Sequence, residues 1–263
     1  MSAILKPDAP ALLRGDADGV TTLTMNRPSQ MNLLTAEMLS ALQDAFDAIA
    51  KDRAVRVVVL SGAGKGFCAG HDLKEIRERK DLPKVQALFD QCSRMMQTIS
   101  SLPQPVIARV QGAAAAAGCQ LVAQCDLAVA SDASKFTTPG VNWGFFCSTP
   151  GVPIGRNLLR KHAMELLLTG DVIGPARALE LGLINRVVPL ADLDAETMKL
   201  ARQIAEKPPA TVAAGKKAFY QQMDMGVDRA YALASRVISE SFIHPEGIAG
   251  MDAFIDKKPP PRH

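Results

Sequence analysis

VRVVVL (Val55–Leu60) running into SGAGKGFCAGHD (Ser61–Asp72) is the stretch on which the fold turns. A short β-branched run reads as a strand covered on both faces, and the glycines after it let the backbone turn tightly and approach a ligand. The loop is not a Walker A loop, because Lys65 is followed by Gly66 and the Gly-x-x-x-x-Gly-Lys-Ser/Thr spacing is absent. It does not complete Gly-x-Gly-x-x-Gly either, and a helical segment follows it.

Upstream, Thr21–Met25 alternates weakly, and residues 35–52 place Met38, Leu39, Leu42, Phe46 and Ile49 at helical spacing, with Thr35 as N-cap and Glu37 in the first turn. Downstream come a helix ending near Ser100, the run Val106–Val110, a short helix over Gly118–Gln124 and the run Leu127–Ala130. This is the βαβ rhythm of a parallel sheet, so the fold class is α/β. After Pro189 only helical patterns follow, at about 191–206, 210–224, 227–241 and 246–256. In the third of these, Val227, Ala230, Tyr231, Ala234, Val237 and Ile238 form one apolar stripe, able to pack on the body or on another subunit. The KKPPPRH tail reads as a frayed terminus.

The chain has 263 residues, 48% apolar and 22% charged, enough for one large domain with a helical appendage. A net charge of +3 suits a polyanionic ligand, while basic residues spread along the chain and only 5% aromatics exclude a nucleic-acid surface. Five cysteines (Cys68, Cys92, Cys119, Cys125, Cys147) without a Cys-x-x-Cys pair indicate reduced thiols and no zinc cage. MSAILKPDAPALLRGD has no sustained apolar run, so neither a signal peptide nor a membrane partner is expected, and the expected location is cytoplasmic.

QGAAAAAGCQ (Gln111–Gln120) also follows a strand, and its five alanines flanked by glycines leave room for a ligand or for a tightly packed helix start. NRPSQMNLL, GFCAGHDLKE, GAAAAAGCQLVAQCDLAVAS, KFTTPG, LLTGD, ALELGLINRVVP and the tail GMDAFIDKK resemble, in order, successive signature segments of the enoyl-CoA hydratase/isomerase (crotonase) superfamily. The resemblance covers nearly the whole chain, and the segment around FCSTPG is similar to that of one subgroup. It implies a crotonase-like spiral of ββα units over residues 1–200 and an α-helical trimerisation region over 201–263, assembled as a homotrimer or homohexamer. The implied ligand is an acyl-coenzyme A thioester acting as substrate, with no separate cofactor and no metal.

In the family pattern the oxyanion-hole donors fall on the main-chain N–H groups of His71 and Ala117. A thioester enolate gathers charge on one oxygen, and each fixed donor contributes about 3–4 kcal/mol to a transition state. Coenzyme A would thread past Gln30, Met31 and Leu33 on one side and Ala69, Asp72 and Leu73 on the other, with Ala116 and Pro139 also in the substrate set. Arg27, Lys74 and Lys258 are phosphate partners or ordinary solvated charges.

The two glutamates of typical hydratases correspond here to Gln120 and Gly140. An amide does not exchange a proton at neutral pH and glycine has no side chain, so each loss costs about 10²–10⁴ in rate. No Asp or Glu occurs between Asp132 and Glu165. The protic groups in that stretch are Thr137, Thr138, Asn142, Cys147, Ser148 and Thr149, and Ser148 falls where some family isomerases carry an acid; the alternative for Ser148 and Thr149 is a turn into Pro150. GFFCSTPG does not satisfy the Gly-x-Ser-x-Gly elbow, and His162 and His244 have no motif partner. The resemblance thus implies an acyl-CoA-binding enoyl-CoA hydratase/isomerase family protein, a lyase or isomerase acting on an enoyl-CoA, that stabilises a thioester enolate, with ordinary hydration disfavoured. Decarboxylation of a malonyl-type thioester and acyl-CoA binding without catalysis are the alternatives.

Overall fold

The computed structural model describes residues 9–261; residues 1–8, part of the N-terminal stretch, and the last two residues of the KKPPPRH tail lie outside the described residues. Leu12–Ala17 (β1) and Val20–Met25 (β2) form an antiparallel hairpin closed by Asp18 and Gly19, whose φ angles are 51° and 75°. Two positive φ angles make the type I′ turn that Asp-Gly favours. Ala36–Ile49 (α1) starts where Thr35 Oγ accepts from Met38 N at 3.2 Å, and it buries Met38, Leu39, Leu42, Phe46 and Ile49, the face its spacing predicts.

Val57–Gly62 (β3) is buried along its length. Leu73–Arg79 (α2), Leu82–Ser101 (α3) and Val106–Val110 (β4) follow, then Ala113–Ala115 (β5), Ala117–Gln124 (α4), Leu127–Ser131 (β6) and Lys135–Thr137 (β7). Ser148–Asn157 (α5), Arg160–Thr169 (α6), Pro175–Glu180 (α7) and Arg186–Val188 (β8) complete this part. The main sheet runs β1-β2-β3-β4-β6-β8 and is parallel after its first hairpin; β5 and β7 pair separately, also in parallel. The α/β class read from the β-strand and helix rhythm holds, and β1, β5, β7 and β8 are additions to it.

Because side chains alternate across a strand, Val58, Leu60 and Ala108 join the core with α1 and α3, while Val57, Val59, Ile107 and Val129 face the other way. That second face is covered by Leu193, Leu200 and Ala201 of Leu193–Ala205 (α8), so a division after residue 200 falls inside a helix that packs on the sheet. Pro209–Gln222 (α9), Val227–Ile243 (α10) and Pro245–Ile255 (α11) make up the rest of the helical C-terminal region.

One buried polar node ties α9 to the sheet. Lys216 Nζ donates to Asp126 Oδ2 at 2.7 Å and to the carbonyls of Ile99 and Gln104, while Tyr220 donates to Asp126 Oδ1. Burial lowers the Lys216 pKa and the Asp126 charge opposes that shift. The apolar stripe of α10 remains open, with Val227 71% and Tyr231 74% exposed. Among the described residues no helix is long and apolar enough to cross a membrane.

Candidate functional site

The two glycine- and alanine-rich loops are stitched into one structure. Phe67 N and Cys68 N donate to the Ala113 carbonyl at 3.0 and 3.2 Å, and Ala115 N donates to the Cys68 carbonyl at 2.9 Å. Two buried amide side chains hold the first loop by its carbonyls: Asn32 Nδ2 donates to Ala63, Gly66 and Phe67, and Gln111 Nε2 to Gly62, Gly64 and Gly66. On the other flank Leu34 N donates to the Gly70 carbonyl and Ala69 N to the Met31 carbonyl. The loop therefore has little freedom at residues 69–71.

Contact between the loops depends on missing Cβ atoms. A Cβ on Gly118 would sit 2.0 Å from the Cys68 carbonyl oxygen, which no side chain tolerates. Gly70 has φ 94°, and a Cβ there would lie 3.2 Å from Ala117 N, so His71 follows a residue that rests against the start of α4. Ala116, just before that helix, has φ 48° and ψ −116°. A non-glycine residue there stores about 1–3 kcal/mol of strain, and it is held by Ala116 N donating to the Thr137 carbonyl at 2.9 Å.

Among the described residues neither the His71 N–H nor the Ala117 N–H donates to a protein acceptor. Both residues line one cavity of ≈ 630 Å³. Ala117 also opens α4, whose first N–H groups and dipole favour negative charge. One cavity is thus lined by two residues whose main-chain N–H groups have no protein acceptor among the described residues.

Of the residues singled out from the sequence, Leu33, Ala69, His71, Asp72, Leu73, Lys74, Ala116, Ala117, Pro139, Gly140 and Ser148 line the cavity. Asp72 caps α2 by accepting from Lys74 N and Glu75 N. Arg27, Gln30, Met31, Gln120 and Lys258 are not on its wall. The Arg27 guanidinium donates to the carbonyls of Ala9, Pro10 and Asn26 and to Glu37, which makes it a strap on the N-terminal segment rather than an open phosphate fork. Lys258 pairs with Asp256 at 2.9 Å. Gln30 ends an exposed turn, and Met31 lies under the loop at Gly66.

Gln120 is 3% exposed and its Oε1 has no hydrogen-bond partner among the described residues. At Gly140 a Cβ would lie 2.6 Å from the Phe145 carbonyl oxygen and 2.8 Å from Cys147 Sγ, so neighbours already fill the place of a side chain. Thr137 and Thr138 give their hydroxyls to the carbonyls of Gly170 and Leu166. Ser148 is exposed at the start of α5, and its hydroxyl reaches only the Phe146 carbonyl, at 3.4 Å. All five cysteines are free and buried; Cys147 alone among them lines the cavity, and burial raises its thiol pKa. Burial pushes the His71 imidazole down to about 4, against a smaller opposing effect of Glu75, so the ring is neutral at pH 7. It packs at 4.9 Å on Phe89.

Sequence reasoning missed the clamps Asn32 and Gln111 and the apolar wall of Ile76, Phe89, Trp143, Phe145 and Phe146. A signal for the aromatic wall was the cluster of three aromatics within four residues, 143–146, in a segment without periodicity.

Comparison with known proteins shows the family and the fold. The family model for enoyl-CoA hydratase/isomerase matches residues 15–262. Enoyl-CoA hydratase domain-containing protein 3, mitochondrial, of Homo sapiens is 44% identical over 243 residues, covering 92% of this chain and 80% of the relative. That is the subgroup which the FCSTPG segment resembles. An enoyl-CoA hydratase crystal structure from Mycobacterium smegmatis superposes with a TM-score of 0.95 at 47% identity, covering 97% of this chain and all (100%) of that one. The crystal structure of the human domain-containing protein 3 gives 0.92 at 42%, covering 95% and 99%. The cytoplasmic expectation is overturned, because the human relative is a mitochondrial protein.

Proposed function

The chain belongs to the enoyl-CoA hydratase/isomerase family, and from that premise we propose that its cavity binds the thioester end of an acyl-coenzyme A, with the N–H groups of His71 and Ala117 holding the carbonyl oxygen as it gains enolate charge. The observation that carries this reading is that His71 and Ala117, whose N–H groups are unpaired among the described residues, line the same cavity, with Gly70 resting against the start of α4. The donors are main-chain groups, so the neutral His71 ring has no required part. The acyl group lies along Leu33, Ile76, Phe89, Trp143 and Phe146, an apolar surface that favours a hydrocarbon chain over a charged one. No cofactor or metal enters the reading, and the C-terminal helices from α9 onward serve assembly into a trimer or hexamer.

Hydration needs a base for water and a proton donor, and neither Gln120 nor Gly140 supplies one. The filled space beside Gly140 favours a second reading, decarboxylation of a malonyl-type thioester, because loss of carbon dioxide yields the enolate without a base and needs chiefly the two donors. Binding without turnover is the third outcome.

Trp143 is the single tryptophan of the chain and lies on the cavity wall, so its emission reports occupancy. Octanoyl-CoA is expected to bind at least ~10-fold more tightly than S-octyl-CoA, the thioether without a carbonyl, since a pair of hydrogen bonds is lost. Equal affinities would remove the proposed carbonyl donors, and no binding of either would remove the acyl-CoA reading. Turnover of 2-enoyl-, 3-enoyl-, malonyl- and methylmalonyl-CoA then separates the reactions.

A further inference from the structure

A second cleft, of ≈ 480 Å³, lies at the seam where the α1–β3 and α3–β4 loops meet the C-terminal helices. Buried Val55 and half-buried Ile204 and Val212 make its apolar floor, with exposed Pro103 at the edge. Its rim carries Arg53, Arg56 and Lys207, and among the described residues none of these is in a salt bridge. Arg56 gives one N–H to the Lys207 carbonyl, which ties its guanidinium to the main chain just after α8.

Local carboxylates do not neutralise this rim. Asp52, the acid on the cleft wall, is held by Arg14 at 3.2 Å and by the Ala54 amide at 3.0 Å. Glu246 is occupied on the α9 N-terminus, where it accepts from Ala210 N, Thr211 N and the Thr211 hydroxyl. His244 uses Nδ1 to cap α11. Gln104, 7% exposed, donates to the Ile49 and Asp52 carbonyls, and its buried Oε1 has no donor among the described residues.

Three like charges around one cleft repel each other until an anion enters, and an apolar floor beneath them selects an anion with a hydrocarbon tail. We propose that this seam binds an amphiphilic anion, a linear aliphatic carboxylate, with its head group among Arg53, Arg56 and Lys207 and its tail on the floor between the core and α9. Such a ligand bridges the core to the C-terminal helices. It does not depend on the acyl-CoA reading of the other cavity.

Titration calorimetry of the full chain with octanoate, octan-1-ol and inorganic phosphate tests this. Octanoate should saturate, and the other two should each bind at least ~10-fold more weakly, because each lacks one half of the required chemistry. The double variant Arg53→Ala/Lys207→Ala, at two exposed positions, should weaken octanoate at least ~10-fold. Trp143 emission should not change at saturation, because that residue lines the other cavity. The proposal is overturned if octanoate gives no saturable heat, if phosphate or octanol binds equally well, if the double variant binds octanoate unchanged, or if Trp143 emission follows the titration.

Discussion

Restoring both carboxylates with Gln120→Glu/Gly140→Glu is the direct way to ask for a hydratase, and the structure predicts that it will not produce one. The first atom added at position 140 lands 2.6 Å from the Phe145 carbonyl oxygen, 2.8 Å from Cys147 Sγ and 3.0 Å from Phe145 Cδ2. The nearest of these is backbone, so the 140–147 segment must shift, at about 1–3 kcal/mol for overpacking. The carboxyl group then enters an apolar wall whose lysine, Lys74, is solvent-exposed on α2. Burial without a partner adds about 1–3 kcal/mol or keeps the group protonated, and a protonated acid cannot activate water. At position 120 the amide is 3% exposed with an orphaned oxygen, so a glutamate there is also held neutral.

The double variant should therefore lose about 3–5 kcal/mol, which for a chain of this size lowers Tm by roughly 10 °C. Gly140→Ala alone isolates the steric part and should cost about 1–3 kcal/mol. Thermal unfolding gives the stability, and loss of the crotonyl-CoA enoyl absorbance gives the hydration rate. A double variant with the parent Tm that hydrates crotonyl-CoA ~10² times faster than the parent, the contribution expected of one acid or base, would refute the packing argument at Gly140.

Three further outcomes follow from single contacts. Asn32→Ala removes the donor shared by the Ala63, Gly66 and Phe67 carbonyls and should cost about 2–3 kcal/mol in urea unfolding, together with most acyl-CoA affinity. His71 has a folded pKa of about 4 against 6.5 unperturbed, so the unfolded chain binds the proton first; stability is complete above pH 6.5 and falls as pH drops towards 4, by about 3 kcal/mol in total. His71→Gln should flatten that part of the pH–stability curve, and an unchanged slope would mean the ring is not desolvated. Lys216→Met leaves Asp126 charged and nearly buried, so it should destabilise by about 3–5 kcal/mol and speed amide exchange in α9 before the core strands.

The parts of this fold that could be read from sequence are those with apolar periodicity. β3 and α1 bury every apolar residue of a pattern and β4 all but Arg109 of its run, and the four C-terminal helices end within a few residues of their predicted limits. β1 was missed because five of its six residues are exposed, although the Asp18-Gly19 pair was a hairpin signal. β5, β7 and β8 are three residues each, too short to show a period; Ala113–Ala115 is a strand because it pairs with β7 and the loop after β3. The site divides in the same way. Its glycines and alanines announce close backbone approach, but nothing in the spacing reveals that Asn32 and Gln111 point their amides at the loop carbonyls, or that Phe145 closes the space beside Gly140.

On the proposed reading, a site built from main-chain donors also reverses the usual relation between contact and importance. Replacing the side chain of His71 or Ala117 leaves its N–H in place, whereas Gly70, Gly118, Asn32 and Gln111 fix where that N–H sits while presenting no side chain to a ligand carbonyl. Positions 120 and 140 belong to neither class, so they can change while the donor geometry is retained. The space at Gly140 is not a void left by a lost acid, since the Phe145 carbonyl and Cys147 thiol fill it and the neighbouring rings of Trp143 and Phe146 extend the same wall. A chain that had only lost its acids would retain a polar pocket for water; this one presents the exposed apolar rings of Trp143, Phe145 and Phe146 on the cavity that His71 and Ala117 also line, which favours the proposed thioester binding over hydration.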